Sequence, residues 1–305
     1  MDAPVLRRAV IAGGTGLVGR PLAQALLAQG LPVAVLTRDP ASAQVPAGAS
    51  AHGWEELPAL VEGAGVVINL AGEGIADRRW SAARKAALRD SRIRVTRQLV
   101  EAMKDCTRPP EALVNASAIG YYGPRGAESL DEAAGPGTGF LPEVCQAWEA
   151  GAVAASAFGV RVVRLRIGVV LAREGGALPK MALPIRLGLG CAVGSGRQGL
   201  SWIHRDDLVA MLAEAAWNPA WEGPYNATAP EPLDNRTFTR LLARRLHRPL
   251  WPVPGPLSAA VLRAALGEMA ESLLLQGAFV RPSRALAQGF RFRFPTAEAA
   301  LADLL

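Results

Sequence analysis

The sequence predicts an α/β protein: a doubly wound parallel sheet with helices on both sides, followed by a smaller C-terminal region. Three observations carry this. Strand, turn and helix signals alternate over the first 170 residues, which is the pattern of a parallel sheet wound with helices. The apolar runs are apolar at consecutive positions, as strands buried on both faces must be. The first run empties into a glycine-rich turn, VIAGGTGLVGR at 10–20, and a helical pattern starts at once.

Taken in order, AVIAG (9–13) reads as a strand and 17–30 as a helix stopped by Gly30. PVAVLTR (32–38) is a second strand. A short connection holding Trp54 and Glu55 leads to a third, GVVINLAG (65–72). A long helix over about 80–103 precedes the strand ALVNASA (112–118). Residues 140–158 read as a helix and VRVVRLRIGVVL (160–171) as a further strand. From 173 to 199 glycine and proline dominate, which predicts loops able to close over a ligand. SWIHRDDL then opens a helix with Asp206 or Asp207 as its cap. GPYNATAP is a short strand, and NRTFTRLLARRL a helix capped near Asp234 or Asn235. A proline-rich entry at 249 leads into an amphipathic helix, and GFRFRFP (289–295) alternates as a half-buried edge strand would.

Composition narrows the function classes. Half of the 305 residues are apolar and a fifth charged, as in ordinary globular chains. No window reaches the roughly 18 unbroken apolar residues of a membrane span; the best run, 158–172, is interrupted by Arg161, Arg164 and Arg166. The N-terminal apolar run is too short for a secretory signal. Three scattered cysteines, Cys106, Cys145 and Cys191, predict reduced thiols and a cytoplasmic protein. The net charge of +6 comes with 30 arginines against 3 lysines, a bias of genome composition. The densest cationic segment, Arg78–Arg97, has apolar and small residues at helical spacing, so its cations are expected to line a solvated face. Nucleic-acid binders usually cluster such cations with stacking aromatics, and with the solvated-face reading no nucleic-acid partner is expected. No cysteine and histidine spacing suits a metal. His204 reads as structural, and His52 and His247 as unpartnered.

The glycine turn carries the first chemistry. Gly13 permits the tight turn, Gly16 lets the backbone approach a pyrophosphate, and Gly19 lets the helix pack close to the strand. The helix start offers free amides and a partial positive charge to the same diphosphate. Strand before, helix after and a second strand beyond favour a dinucleotide. At the end of that second strand stands LTRDP. The Arg38 guanidinium suits a ribose 2′-phosphate, with Arg20 close by, and this favours NADP over NAD. Asp39 reads either as a partner for a ribose hydroxyl or as the start of a turn with Pro40.

The spacing G-x-x-G-x-x-G, the strand end NLAG (69–72), SWIHRDDL (201–208) and YNATAPEPLDNRTFTRLL together resemble the extended short-chain dehydrogenase/reductases. NLAGEGIADRRW, SAIGYYG, the helix with VCxxWE and the tail LGEMAESLLLQG…GFRFRFP resemble more closely an atypical branch of it. That branch is the "epimerase family", NAD-dependent epimerase/dehydratase-like, with a C-terminal domain of unknown function. The resemblance implies a Rossmann-type fold over 1–170 and 201–230. It also implies a smaller substrate-side region over 171–200 and 231–305, with 249–298 as the C-terminal family domain. It implies NADP(H) as cofactor, touched by Gly13, Gly16, Leu17, Val18, Gly19, Arg38, Asp39, Ala71, Gly72, Glu73, Arg78 and Val169.

The usual catalysts of that superfamily are a strand-end serine and a Tyr-x-x-x-Lys pair on the next helix. Ser117 is correctly placed, but the helix reads FLPEVCQAWEAGA, and Cys145 and Glu149 stand at the matching spacing. A carboxylate raises a neighbour's pKa where a lysine would lower it. Tyr121 and Tyr122, on the loop after Ser117, are the replacement candidates; each phenol could donate a proton or simply pack. The expected activity is that of an NADP-binding oxidoreductase or epimerase on a small anionic or nucleotide-linked substrate, with Lys180, Arg186 and Arg197 as its cations. The alternative is a non-catalytic NADP(H)-binding sensor.

Overall fold

In a computed structural model, described for residues 7–305, seven parallel strands make one open sheet. They are β1 (Ala9–Ala12), β2 (Val33–Leu36), β3 (Ala49–His52), β4 (Val66–Asn69), β5 (Ala112–Ala118), β6 (Arg161–Ile167) and β7 (Gly223–Ala227). Across the sheet the order is β7-β6-β5-β4-β1-β2-β3, every pairing parallel. Odd and even positions of each strand feed two cores. Ala9, Ile11, Val33, Val35 and Ile68 face α1 (Gly19–Ala28) and a later helix, while Val10, Ala12, Ala34, Val67 and Leu113 face α2 (Ala82–Lys104). The chain winds from β1 through β2 to β3, then crosses back to β4 on the other side of β1. Between their carboxyl ends lies the switch point where such sheets bind ligands.

The remaining long helices are α3 (Phe140–Val153), α4 (Ala177–Arg186), α5 (Arg205–Trp217), α6 (Asn235–Arg245), α7 (Gly255–Leu266) and α8 (Ala297–Leu304). A third core joins Leu178, Ala182 and Ile185 of α4 to Phe238 and Leu242 of α6, Leu301 and Leu304 of α8, and Trp202.

Several elements depart from the sequence expectation. β3 reads ASAH, too polar and too short to stand out as a buried run. The single strand expected over 160–171 breaks at Gly168, where a Cβ would lie 2.7 Å from the Ser201 carbonyl oxygen; Val169–Leu171 pairs instead with Trp202–His204. The expected loops of 173–199 contain α4. Its prolines are tolerated because Pro179 sits in the first turn, while Leu178, Ala182 and Ile185 supply a buried stripe that outweighs Pro184. The cap of α5 is His204, whose Nδ1 accepts from the Asp206 amide at 3.1 Å, not Asp206 or Asp207. Asp207 is buried and accepts from the amides of Arg293 at 2.7 Å and Phe294 at 3.0 Å. That is why 289–295 forms no strand: a carboxylate, not a neighbouring strand, satisfies its backbone. Asp234 caps α6. The helix expected after 249 stops at Gly267, in the left-handed region at φ +64°, and resumes as a short irregular turn. His52 is partnered, by Glu56 at 2.8 Å and Ser50 at 2.7 Å.

Candidate functional site

The turn between β1 and α1 is shaped by what its glycines would collide with. Gly13 has φ +83°, and a Cβ there would lie 2.8 Å from the Leu70 carbonyl carbon. A Cβ on Gly19 would lie 2.3 Å from the Gly13 oxygen. These two positions fix the helix against the strands β1 and β4. Gly16 is different: its nearest neighbour would be the Gly13 oxygen at 3.4 Å, so nothing in the protein crowds it. That side of Gly16 is open. No side chain caps α1 and its first turn holds no acid. The amides of Leu17 and Val18 donate to no other described residue. Unpaired amides at a helix start, beside a glycine with free space, make an anion cradle. The Leu17 side chain meanwhile reaches the turn at Gly176, within 3.0 Å of a Cβ placed there, which brings the segment after Val169 over the cradle.

At the end of β2 the two candidates separate. Arg38 is exposed and makes no hydrogen bond or ion pair among the described residues. The Asp39 carboxylate is engaged, accepting from the Ser42 hydroxyl at 2.6 Å and the Ser42 amide at 3.3 Å, bonds that lower its pKa. Arg20 is turned to Gln44, donating to its backbone oxygen at 3.0 Å and its side-chain oxygen at 3.2 Å.

The end of β4 is held by a buried amide network. Asn69 donates to Asn115 at 2.7 Å and Thr96 at 2.9 Å, and accepts from the Ala71 amide at 3.2 Å. Ala71, Gly72 and Glu73 follow, pinned to α2: Arg84 pairs with the Glu73 carboxylate and donates to the Gly74 oxygen at 2.6 Å. Arg92 donates to the Glu73 oxygen at 3.0 Å and Ser91 accepts from the Glu73 amide at 3.3 Å. Lys180 reaches the same loop, donating to the Ala76 oxygen at 3.1 Å. Arg78 is exposed and unpaired among the described residues. The solvated face expected for 78–97 holds for Arg78, Arg79, Arg89, Arg94 and Arg97, but Arg84, Lys85 and Arg92 are drawn inward. Burial lowers the pKa of Arg92. The signal for them was the seven- and eight-residue spacing of Arg84, Ser91 and Arg92 along one helix face.

At the end of β5, Ser117 meets the two residues that occupy the Tyr and Lys positions. The Ser117 hydroxyl donates to Glu149 at 2.7 Å. Arg166 clamps the same carboxylate with two bonds, 2.8 and 3.0 Å, and Arg164 adds one at 3.4 Å. Both members of the Arg166–Glu149 pair are 4 % exposed at the side chain. Burial alone would lower the Arg166 pKa, but the Glu149 carboxylate reverses this and holds it above its ordinary value. Cys145 lies alongside, its pKa pushed up to about 11 by burial first and by Glu149 second. It is a neutral thiol near neutrality. Brief exposure of the native protein to iodoacetamide at pH 8 should therefore leave Cys145 unmodified, read by peptide mass spectrometry; rapid labelling there would contradict this environment.

The two tyrosines also separate. Tyr122 is fully buried, donates to Asn226 at 2.6 Å, accepts from Arg166 at 3.0 Å, and has its pKa pushed up to about 12, chiefly by burial. Of the two sequence readings of Tyr122, proton donor or packing residue, this placement favours packing, with the hydroxyl engaged inside the fold. Tyr121 is half-buried, its ring lying 3.5 Å from the Arg166 guanidinium. The structure thus brings Ser117, Cys145, Glu149, Arg166 and Tyr121 together on the carboxyl side of β5 and β6. Glu149 and Arg166 are the residues whose joint role the sequence reading missed. Arg164 and Arg166, two positions apart and so on one face of the strand, were the available signal.

Comparisons with known proteins agree with this architecture. Residues 9–227 match the model of the NAD dependent epimerase/dehydratase family, and 257–304 match a domain of unknown function, DUF1731. An epimerase family protein of Mycobacterium tuberculosis is 40% identical over 95% of this chain and 95% of its own length. The chloroplastic SDR39U1 homolog of Arabidopsis thaliana is 39% identical over 97% of this chain and 86% of its own. The crystal structure of human epimerase family protein SDR39U1 with NADPH superposes with a TM-score of 0.87 at 34% identity, covering 97% of this chain and 98% of that one. Similarity of this extent, across both the sheet and the C-terminal segment, shows that the chain belongs to the NAD-dependent epimerase/dehydratase family of short-chain dehydrogenase/reductase-like proteins.

Proposed function

We propose that the chain is an NADP(H)-dependent oxidoreductase or epimerase acting on a small anionic or nucleotide-linked substrate. The observation that carries the coenzyme is the contrast at the end of β2: Arg38 has no partner among the described residues, and Asp39 is consumed by Ser42. A free guanidinium suits a 2′-phosphate, whereas a ribose hydroxyl wants the carboxylate that Ser42 occupies. Gly13, Gly16, Leu17, Val18 and Gly19 would hold the diphosphate, with Ala71, Gly72 and Val169 lining the crevice and Glu73 and Arg78 at its mouth. The coenzyme when bound gives or takes a hydride. Tyr121 is the phenol left to move a proton, and Ser117 orients what lies beside it. The region over 171–200 and 231–305 forms the substrate side, with Lys180, Arg186 and Arg197 as its cations.

A second reading is a non-catalytic NADP(H) sensor. Ser117 favours it, being 2 % exposed with its proton committed to Glu149. One set of measurements separates them. Arg38→Glu should weaken NADPH binding about a hundredfold while barely changing NADH binding. Oxidation of NADPH against a panel of carbonyl compounds and sugar nucleotides, lost in Tyr121→Phe, supports the enzyme. Binding without turnover across the panel supports the sensor.

A further inference from the structure

The most unusual surface of this protein lies away from the coenzyme cradle. Leu183, Leu187, Leu189, Trp251, Leu257 and Val261 are between 56% and 68% exposed, large apolar side chains turned to water. They all fall in two segments, 175–205 and 235–267, and neither segment holds a single Asp or Glu. The same segments carry Lys180 and nine arginines. Arg205 pairs with the flanking Glu174 and Asp206, and Arg263 with Glu271; soluble surfaces scatter apolar residues singly, whereas these segments gather six beside the cations that remain.

The apolar residues are tied together structurally. The Trp251 indole donates to the Gly188 oxygen at 2.6 Å and its amide to the Gly190 oxygen at 2.9 Å, so its ring stands beside Leu187 and Leu189. The same loop anchors α7, since the Gly194 amide donates to Ser258 at 3.0 Å. Ser258 and Ala259 face inward, and Leu257 and Val261, one turn apart, face out. Arg240, Arg244 and Arg248 follow at four-residue intervals to a point three residues before Trp251. All three are exposed, and none of their side chains makes a hydrogen bond or ion pair among the described residues.

We propose that this face docks the protein on an anionic lipid bilayer, lying on the surface and not crossing it. Charge selects the occupant. Arg240, Arg244 and Arg248 have no acid partner among the described residues, so two copies of this face repel each other, which disfavours self-association. A nucleic acid would want stacking rings between the cations, and five of the six apolar groups are aliphatic. Leucines and a tryptophan flanked by arginines match the boundary between acyl chains and anionic headgroups. No helix among the described residues is long and apolar enough to span a membrane, so the attachment is peripheral.

The test is co-sedimentation of the full chain with vesicles of phosphatidylcholine, alone or mixed with phosphatidylglycerol. Binding to the mixed vesicles should exceed that to phosphatidylcholine by at least about tenfold and be largely lost in roughly half-molar salt. The triple change Leu187→Ser, Leu189→Ser, Trp251→Ser, and separately Arg240→Gln, Arg244→Gln, Arg248→Gln, should each abolish it. All these side chains are exposed, so thermal melts should stay unchanged; neither triple touches the coenzyme cradle. Three outcomes overturn the proposal: no vesicle binding, binding that both triple variants retain, or a patch-dependent dimer or duplex DNA complex in its place.

Discussion

Glu149→Ala should lower the unfolding free energy by about 3–5 kcal/mol, because it leaves the buried Arg166 guanidinium without its counter-ion. The geometry supports a value in this range. Arg166 loses two charge-assisted bonds and Ser117 loses its acceptor; the Tyr122 hydroxyl and the Tyr121 ring remain beside the guanidinium, and neither carries a negative charge. The single change should cost more than replacing both members by methionine, since the double change removes the stranded charge along with the pair. Urea midpoints of the two variants decide it. A single variant as stable as the parent, or a double variant that is worse than the single, would contradict a buried pair at this position.

The second large effect lies in the glycine turn, where stability and binding come apart. Gly19→Ala puts a methyl group 2.3 Å from the Gly13 oxygen, a backbone atom that cannot yield without shifting the helix start. It should destabilise by about 1–3 kcal/mol from overpacking. It should also lower coenzyme affinity about a hundredfold, since the cradle amides move with the helix. Gly16→Ala meets only the Gly13 oxygen at 3.4 Å, an ordinary contact. Its urea midpoint should match the parent's, with an unfolding free energy changed by less than about 0.5 kcal/mol, which in a chain of this length moves the melting temperature by about a degree or less. Its coenzyme affinity should nonetheless fall, because the added carbon occupies the space kept for the ligand. If Gly16→Ala bound the coenzyme normally, the pyrophosphate would not lie where the turn is argued to hold it.

These two sites differ in how far the sequence disclosed them. The glycine turn was fully legible, because its constraints are local: three glycines, a strand before and a helix after. The parallel strands β1, β2, β4 and β5 were equally plain, since strands buried on both faces must be continuously apolar. β3 was not, because ASAH lies at the sheet's edge and is only partly buried. α4 was hidden by its prolines, and the 289–295 segment mimicked a strand while its amides went to Asp207. The Glu149–Arg166 pair joins a helix to a strand across the sheet face, a relation that no spacing encodes. Arg84 and Arg92 looked like solvent-facing charge because helical periodicity reports which residues share a face, not what that face meets. Among the site residues, Asp39 and Tyr122 showed the same limit: each was placed in the right segment, and only the structure shows where the side chain's hydrogen bonds go.

The proposed activity requires an adenine dinucleotide phosphate seated on the amino end of α1 with Arg38 beside its extra phosphate. Fluorescence titration of the purified chain with NADPH and with NADH tests this directly. One charge-assisted contact to the 2′-phosphate, at about 1.5–3 kcal/mol, predicts NADPH binding roughly ten- to a hundredfold tighter than NADH. Equal affinity for the two, or no affinity for either, would contradict it.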